Sequence, residues 1–402
     1  MKHTIKPSST DLLRLLKIYH FNNGSGGGAF SITKNLLRFS TNNRIENHII
    51  YTINKDVIPY FETTPTAGAV TEQVFYYSPH WNFYYTCRKL AKLLPDDQAI
   101  IIANDWLELG MVSNLGLQNK VIQILHGDYD YYYHLAAIHS AAIDSYITVA
   151  ASIKDKLGTR LHNRKEDIHY LRFPVPVNNC GDATAKHLNT IIFIGRCTEE
   201  KGYHLLPDIA KSLAAQQIKL QWHIVGELKE KDQYRWDPSL EVVFHGSISN
   251  VAVCQLLCKM RMFILPSIAE GMPVSLVEAM KAAVIPIVNH LPGGIQELVH
   301  YAETGFLVNG NCIEGFVEAI RQAVNDEAAA MLIGRRCKRL ADELFNPAEN
   351  AAFFEQAYLQ TAARRSFTKP ATKIYGSRLD LPHIPNWLVN GLRSSIVPNA
   401  KK

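Results

Sequence analysis

The sequence predicts an α/β protein made of two doubly wound domains, each a parallel sheet covered by helices on both faces. Three observations carry this. Short unbroken runs rich in Ile and Val recur along the chain with helix-length segments between them, the pattern of buried parallel strands. A Pro-rich stretch, from Phe173 through Pro174 and Pro176 to Gly181, divides the runs into two groups and cannot be inner strand or regular helix. The 402 residues are enough for two separate cores.

In the first half, Leu15 to Phe21 reads as a strand. It runs into a loop where Gly24, Gly26, Gly27 and Gly28 crowd together, and a helix follows from about Ala29 to Arg38. Clustered glycines allow positive φ and let backbone approach a ligand closely. Strand, Gly-rich turn and helix N-terminus together make a phosphate cradle. The spacing matches neither a dinucleotide fingerprint nor a P-loop. Further strands are expected near Ile49 to Ile53, Val74 to Tyr77, Ile100 to Ala103, Val121 to Leu125 and Ser145 to Val149, each pair joined by a helix. Ligands of such sheets bind at the carboxyl ends of strands. Asn104-Asp105 and His126-Gly127 lie at two of these ends. The tyrosines that follow, Tyr129, Tyr131, Tyr132 and Tyr133, suit either local packing or an acceptor platform.

The second group starts with Thr190 to Ile194, ending in Gly195-Arg196, then Lys201-Gly202 and a helix from about Tyr203 to Ala214. Two cations in a strand-to-helix loop, one a planar fork and one a point charge, match a diphosphate. Strands are expected at Trp222 to Val225, Val242 to His245, Met262 to Leu265, Ile285 to Val288 and Phe306 to Val308, with Pro292-Gly293-Gly294 in another strand-to-helix turn. After Met262 to Leu265 the chain turns through Pro266 and Ser267. It then carries Glu270, Gly271, Met272, Pro273 and Val274, and Ser275 reads as the N-cap of a helix with Glu278 in its first turn. Free N–H groups at a helix start favour anions. Two carboxylates beside such a place must be aimed at hydroxyl donors, and sugar hydroxyls fit. Helices after Glu314 and from Pro347 to Arg365 end the fold.

Composition is ordinary for a globular chain, with 47% apolar and 20% charged residues. A net charge of +5 is too mild to imply nucleic acid, although a basic face could meet phosphate or an anionic membrane. No run approaches the ~20 apolar residues of a membrane span, and the first ten residues lack the apolar core of a secretory leader. The expectation is a cytoplasmic protein, with peripheral contact at the inner face of the cell membrane. The seven cysteines are scattered without metal spacing and read as buried thiols.

Glu270 and Glu278, with seven residues between them, Gly after the first and Pro two residues later, resemble the signature of the retaining GT-B glycosyltransferases of the GT4-like family. The Gly195-Arg196 to Lys201-Gly202 pattern, His126-Gly127 and Thr304 to Val308 resemble it too. The chain departs from the family in lacking glycine between Met280 and Pro286, and in having Asn104 where many relatives have His. The resemblance implies two Rossmann-like domains facing across a cleft. Residues 1–176 would form the acceptor side, residues 177–349 the nucleotide-sugar side, and 350–402 a crossover helix back to the first domain plus a tail.

It also implies roles. Arg196 and Lys201 would hold a diphosphate, and Glu278 the ribose. Glu270 would fix the donor sugar with the N–H groups of Gly271 and its neighbours, and Met272, Pro273 and Val274 would line the donor site. Gly26, Gly27 and Gly28 would approach the donor, and His126 would sit at the anomeric side. No metal and no cofactor would be needed. The partners would be a UDP- or GDP-sugar donor and a glycan, lipid-linked or small-molecule acceptor. A GT-B epimerase and a non-catalytic sugar-nucleotide-binding protein remain alternatives.

Overall fold

The computed structural model describes residues 15–24, 26–63, 65–94, 98–177, 180, 189–228, 235–310, 312–374 and 376–396. The first ten residues, and Asn178, Asn179 and Gly181 of the Pro-rich stretch, lie outside them.

Seven parallel strands form the first sheet: β1 Leu16–Asn22, β2 Ile45–Asn54, β3 Ala69–Tyr77, β4 Ile100–Ala103, β5 Lys120–Leu125, β6 Ser145–Thr148 and β7 Ile168–Tyr170. Their order is β3-β2-β1-β4-β5-β6-β7. Six parallel strands form the second: β8 Thr190–Ile194, β9 Gln221–Val225, β10 Val242–Gly246, β11 Met262–Leu265, β12 Ile285–Asn289 and β13 Phe306–Val308. Their order, β10-β9-β8-β11-β12-β13, repeats the first. All residues of β4, β5, β6, β11 and β12 are buried, which is why β4 and β11 read as continuous apolar runs and the other three as largely apolar ones. In each sheet the order reverses beside the first strand, between β1 and β4 and between β8 and β11. At such a switch point neighbouring loops part and leave a crevice.

The sequence reading needs correction in several places. Among the described residues no helix joins β2 to β3. Strand β7 and the helices Glu327–Leu344 and Asn386–Ile396 were not expected. β7 has only three residues, too few for a periodic pattern. The cysteines are not all buried thiols. Cys87 and Cys337 are, but Cys312 is exposed and Cys180 is disulfide-bonded to Cys258 across 78 residues of sequence.

The Pro-rich stretch has side-chain partners in place of a ladder. The Phe173, Pro174 and Val175 carbonyls accept from Asn350 (3.2 Å), Asn35 (3.1 Å) and Lys281 (3.0 Å). Helix Pro347–Ala363 begins with Asn346 accepting from Ala348 N and Glu349 N, and Pro347 fits a position whose N–H would be unpaired. This helix crosses to the first domain. There Glu355 accepts from Ser40 Oγ (2.5 Å), Thr41 N (3.0 Å) and Asn42 N (3.2 Å). The tail continues over the same domain. Lys369 is buried, with Nζ donating to Asn119 O (2.6 Å), Ala142 O (2.7 Å) and Asp144 Oδ2 (2.5 Å). Among the described residues no helix is long and apolar enough to cross a membrane.

The missing glycine before β12 has a local consequence. Ala283 occupies the left-handed region, with φ at 54°. That conformation strains a residue with a Cβ. Ala283→Gly is therefore expected to raise stability by up to about 1 kcal/mol, the relief being partly offset by glycine's unfolded-state entropy. Urea denaturation checks this, and an unchanged midpoint would show that the turn relaxes around alanine.

Candidate active site

The loops after β8 and β11 meet at the second switch point because glycine lets them. Gly202 has φ of 70°, and a Cβ there would lie 2.0 Å from Pro266 O. Ile268 N donates to Glu200 O at 3.0 Å. Lys201, one residue on, then reaches Glu270, with Nζ 2.7 Å from Oε1. Both side chains are largely buried, at 16% and 8% exposure, so their charges stand in a medium that screens them poorly. Arg196 differs. It is 68% exposed and its nearest acid is Glu200, at 3.4 Å.

Helix Val274–Lys281 starts after Pro273, which offers no side-chain cap. Ser275 lies inside the helix and is not its N-cap. Glu278 therefore falls in the second turn, not the first. Its carboxyl is buried and Oε1 accepts from Asn250 Nδ2 at 2.6 Å. Burial raises the Glu278 carboxyl to about 7, with the Asn250 hydrogen bond opposing.

On the first domain, Asn104 links three elements. Its Nδ2 donates to Phe21 O at the end of β1 (2.5 Å), and its N donates to Glu108 Oε1 (2.7 Å). Its Oδ1 is therefore the acceptor facing His126 Nε2, at 2.7 Å. This assigns the proton to Nε2 and leaves Nδ1 a lone pair, buried and without a hydrogen-bond partner. Burial lowers the His126 imidazole to about 4, so it is neutral near pH 7. Asn104 in place of His thus orients His126. Glu108 also caps helix Trp106–Leu115 in a box with Asp105, and burial followed by the Asp105 charge raises it to about 8.

The two domains touch across the cleft. A Cβ on Gly271 would lie 2.6 Å from His126 O and 2.8 Å from Gly127 Cα. One on Gly28 would lie 3.3 Å from Val274 Cγ2, whereas Gly26 and Gly27 face open space. Gly294 N donates to Gly271 O at 3.1 Å, so the Pro-Gly-Gly turn backs the same loop. The tyrosines divide by task. Tyr129 crosses to the second domain and donates to Glu200 Oε1 (2.7 Å) and Ala269 O (3.1 Å). Tyr131 donates to Asp105 and Tyr133 to Asp128, both within the first domain. The structure thus brings the loops that carry His126, Arg196, Lys201, Glu270, Gly271 and Gly28 together, with Met272 and Val274 buried, while Glu278 is buried against Asn250. Sequence reasoning missed Tyr129 as a bridge, and Glu200 and Asn250 altogether. Only Glu108 left a signal, the Asp-x-x-Glu spacing of a capping box.

Two Rossmann-like sheets whose switch points meet across one cleft define the GT-B fold. Anabaena HepE, solved with UDP-glucose, shares it at a TM-score of 0.69 with 15% identity, over 86% of this chain and 100% of that one. Pneumococcal GtfA, an O-GlcNAc transferase solved with UDP and GlcNAc, shares it at 0.67 with 11% identity, over 87% and 100%.

Residues 182–340 match the family model described as "Glycosyl transferases group 1". WcaL of Escherichia coli (strain K12), provisionally assigned as a colanic acid biosynthesis glycosyltransferase, is 31% identical over 172 residues, 39% of this chain and 41% of that protein. The 2-deoxystreptamine N-acetyl-D-glucosaminyltransferase of Niallia circulans is 31% identical over 149 residues, 36% and 38% of the two chains. The matched region thus spans about two-fifths of each of these relatives.

Proposed function

We propose that this protein is a retaining glycosyltransferase that moves a sugar from a UDP- or GDP-sugar to a hydroxyl acceptor in glycan or glycoconjugate biosynthesis. The observation that carries this is the convergence of the Arg196–Lys201 loop and the Glu270–Glu278 segment at one switch point, with Lys201 Nζ 2.7 Å from Glu270. Arg196 and Lys201 would neutralise the departing diphosphate, stabilising charge that grows in the transition state. Glu270 and the backbone N–H groups from Gly271 onward would fix the donor sugar, and Glu278 would accept from the ribose hydroxyls. Gly26, Gly27 and Gly28 would close over the donor. His126, neutral, would present a lone pair toward the anomeric side rather than a positive charge. The acceptor would approach from the first domain on the face the phosphate leaves, and the phosphate would help to take its proton. The two cations do the work a divalent metal would do. The location proposed is cytoplasmic, with contact at the inner membrane face.

The test is a panel of labelled UDP- and GDP-sugars, assayed for transfer and hydrolysis with and without EDTA. Turnover of one sugar, insensitive to chelator, is expected. A product that keeps its nucleotide and inverts a sugar centre would instead make the protein an epimerase.

Glu278 makes the donor step pH-dependent. The folded free protein holds its proton up to about 7, against an ordinary carboxyl value of 4.5. This contribution to stability is therefore full below 4.5 and is lost as pH rises through 7. Accepting from ribose favours the carboxylate. UDP-glucose affinity should then rise from about pH 6 to about pH 8, with proton release on binding at the lower end. Calorimetry in two buffers of different ionisation enthalpy reads this. A pH-independent affinity, or the same dependence in Glu278→Gln, would remove Glu278 from the ribose.

A further inference from the structure

The tail past the crossover helix forms one wall of an open cavity of about 420 Å³ on the first domain. Tyr77, Trp81, Phe83, Trp106 and Ile138 line it from the domain, and Ile374 from the tail. That wall is built in, with the tail bonded to the domain at several points. Ile374 N donates to Asn114 Oδ1 at 2.8 Å and Asn114 Nδ2 returns to Ile374 O at 3.0 Å. Phe83 N donates to Asp380 Oδ1 at 2.7 Å. Asn82 Nδ2 reaches Leu379 O (3.1 Å), Leu381 O (3.0 Å) and Ile384 O (2.9 Å).

Two features give the cavity a ligand class. Its Arg393, Asp380 and His139 are already used within the protein, which leaves the exposed His134 as the one other group among its described lining residues that can charge near pH 7. Arg393 donates to Trp81 O (2.7 Å), Pro79 O (3.3 Å), Ser377 Oγ (2.8 Å) and Asp380 Oδ2 (2.8 Å), and His139 is paired with Ser113 Oγ at 2.7 Å. A sugar ring placed there would leave most of its hydroxyls unpaired, whereas an apolar chain would cover aromatic faces. The cavity also adjoins the cleft. Trp106 packs on Phe83 (ring centroids 5.0 Å apart) and edges onto Tyr77 (6.1 Å), and it follows directly on Asn104-Asp105, where Asn104 holds His126 at 2.7 Å. Outside, helix Asn386–Ile396, which supplies Arg393 to the cavity, exposes Trp387 (74%), Leu388 (39%) and Leu392 (41%).

We propose that this cavity binds the apolar chain of a lipid-linked acceptor, holding its hydroxyl-bearing head toward His126. This rests on the glycosyltransferase reading and narrows its acceptor to one carrying an apolar chain.

The full chain is titrated by calorimetry with decyl β-glucoside below its micelle concentration, with methyl β-glucoside, and separately with UDP-glucose. Decyl glucoside is expected to bind at least about 10-fold more tightly than methyl glucoside, as chain burial requires. Ile138→Arg should remove that advantage. It puts a cation at a helix C-terminus, where it is tolerated, so the unfolding midpoint and UDP-glucose affinity should hold. Ile374→Arg, from the opposite wall, should repeat the result. Equal binding of the two glucosides would overturn the proposal. So would an advantage that survives both variants, or one that is lost only in Trp387→Ser/Leu392→Ser, which would mark surface adsorption. Failure of both UDP and GDP to bind the unmodified protein would overturn the donor reading, and with it the acceptor role of the cavity, in titrations that contain no glucoside.

Discussion

Lys201→Ala is expected to cost both folding and turnover, unlike any other change of a cation at the cleft. Lys201 and Glu270 form a pair with side chains 16% and 8% exposed. Removing the lysine strands a buried carboxylate, which costs about 3 kcal/mol. It also removes a charge that would face the leaving diphosphate, so kcat/KM should fall about 100-fold or more. Arg196→Ala should separate the two effects. Its side chain is 68% exposed and meets Glu200 only at 3.4 Å, so the unfolding midpoint should stay put. Loss of its charge-assisted contact in the transition state should still cost about 1.5–3 kcal/mol. Adding Glu270→Gln to Lys201→Ala should restore much of the stability and none of the turnover. Denaturation midpoints and kcat/KM for the four proteins check the scheme. A fully stable Lys201→Ala would show that Glu270 finds water or another donor.

Gly271→Ala is the second large effect, from one added methyl group. Its Cβ would sit 2.6 Å from His126 O and 2.8 Å from Gly127 Cα, contacts that van der Waals radii forbid. All of these atoms are backbone and cannot swing away. The loop must retreat from the first domain, carrying Glu270 with it. A shift of about 1 Å between positioned groups can cost roughly 100-fold in rate. The contact lies between domains, so each core should keep its packing and the unfolding midpoint should move little. Gly195→Ala is the control, since its nearest neighbour would be Phe193 Cζ at 3.5 Å, an ordinary contact. If Gly271→Ala turned over normally, the closed geometry at His126 would be irrelevant to the reaction.

How much of this was legible follows from the kind of information each feature uses. Fully buried strands announce themselves as apolar runs, and β4 has the limits its run suggested, Ile100 to Ala103. Glycines at strand ends marked the loops because close approach leaves no room for a side chain, as Gly202 against Pro266 shows. The partnership of Lys201 with Glu270 spans 69 residues and depends on how two loops meet, so no local pattern encodes it. The same holds for Cys180 with Cys258, and for Tyr129 reaching Ala269. Ser275 misled because a good capping residue stood two positions after Pro273, which is itself the N-cap. In the tail the helix Asn386–Ile396 was missed although its apolar residues are periodic, and the rest takes its order from single anchors such as Lys369 and Asp380, which leave no pattern.

The account stands on the second switch point being a nucleotide-sugar site in which the two glutamates divide the donor. Free UDP keeps the ribose and lacks the sugar, so it tells them apart. Interactions shared by ground and transition states affect KM, while those that strengthen in the transition state affect kcat. Calorimetric titration of UDP into the unmodified protein, Glu278→Gln and Glu270→Gln is the direct measurement, with GDP as the alternative base. UDP or GDP should bind the unmodified protein, bind Glu270→Gln almost as well, and bind Glu278→Gln more weakly. Loss of affinity in Glu270→Gln with normal affinity in Glu278→Gln would reverse the placement of the donor, and no binding of either nucleotide would contradict the account outright.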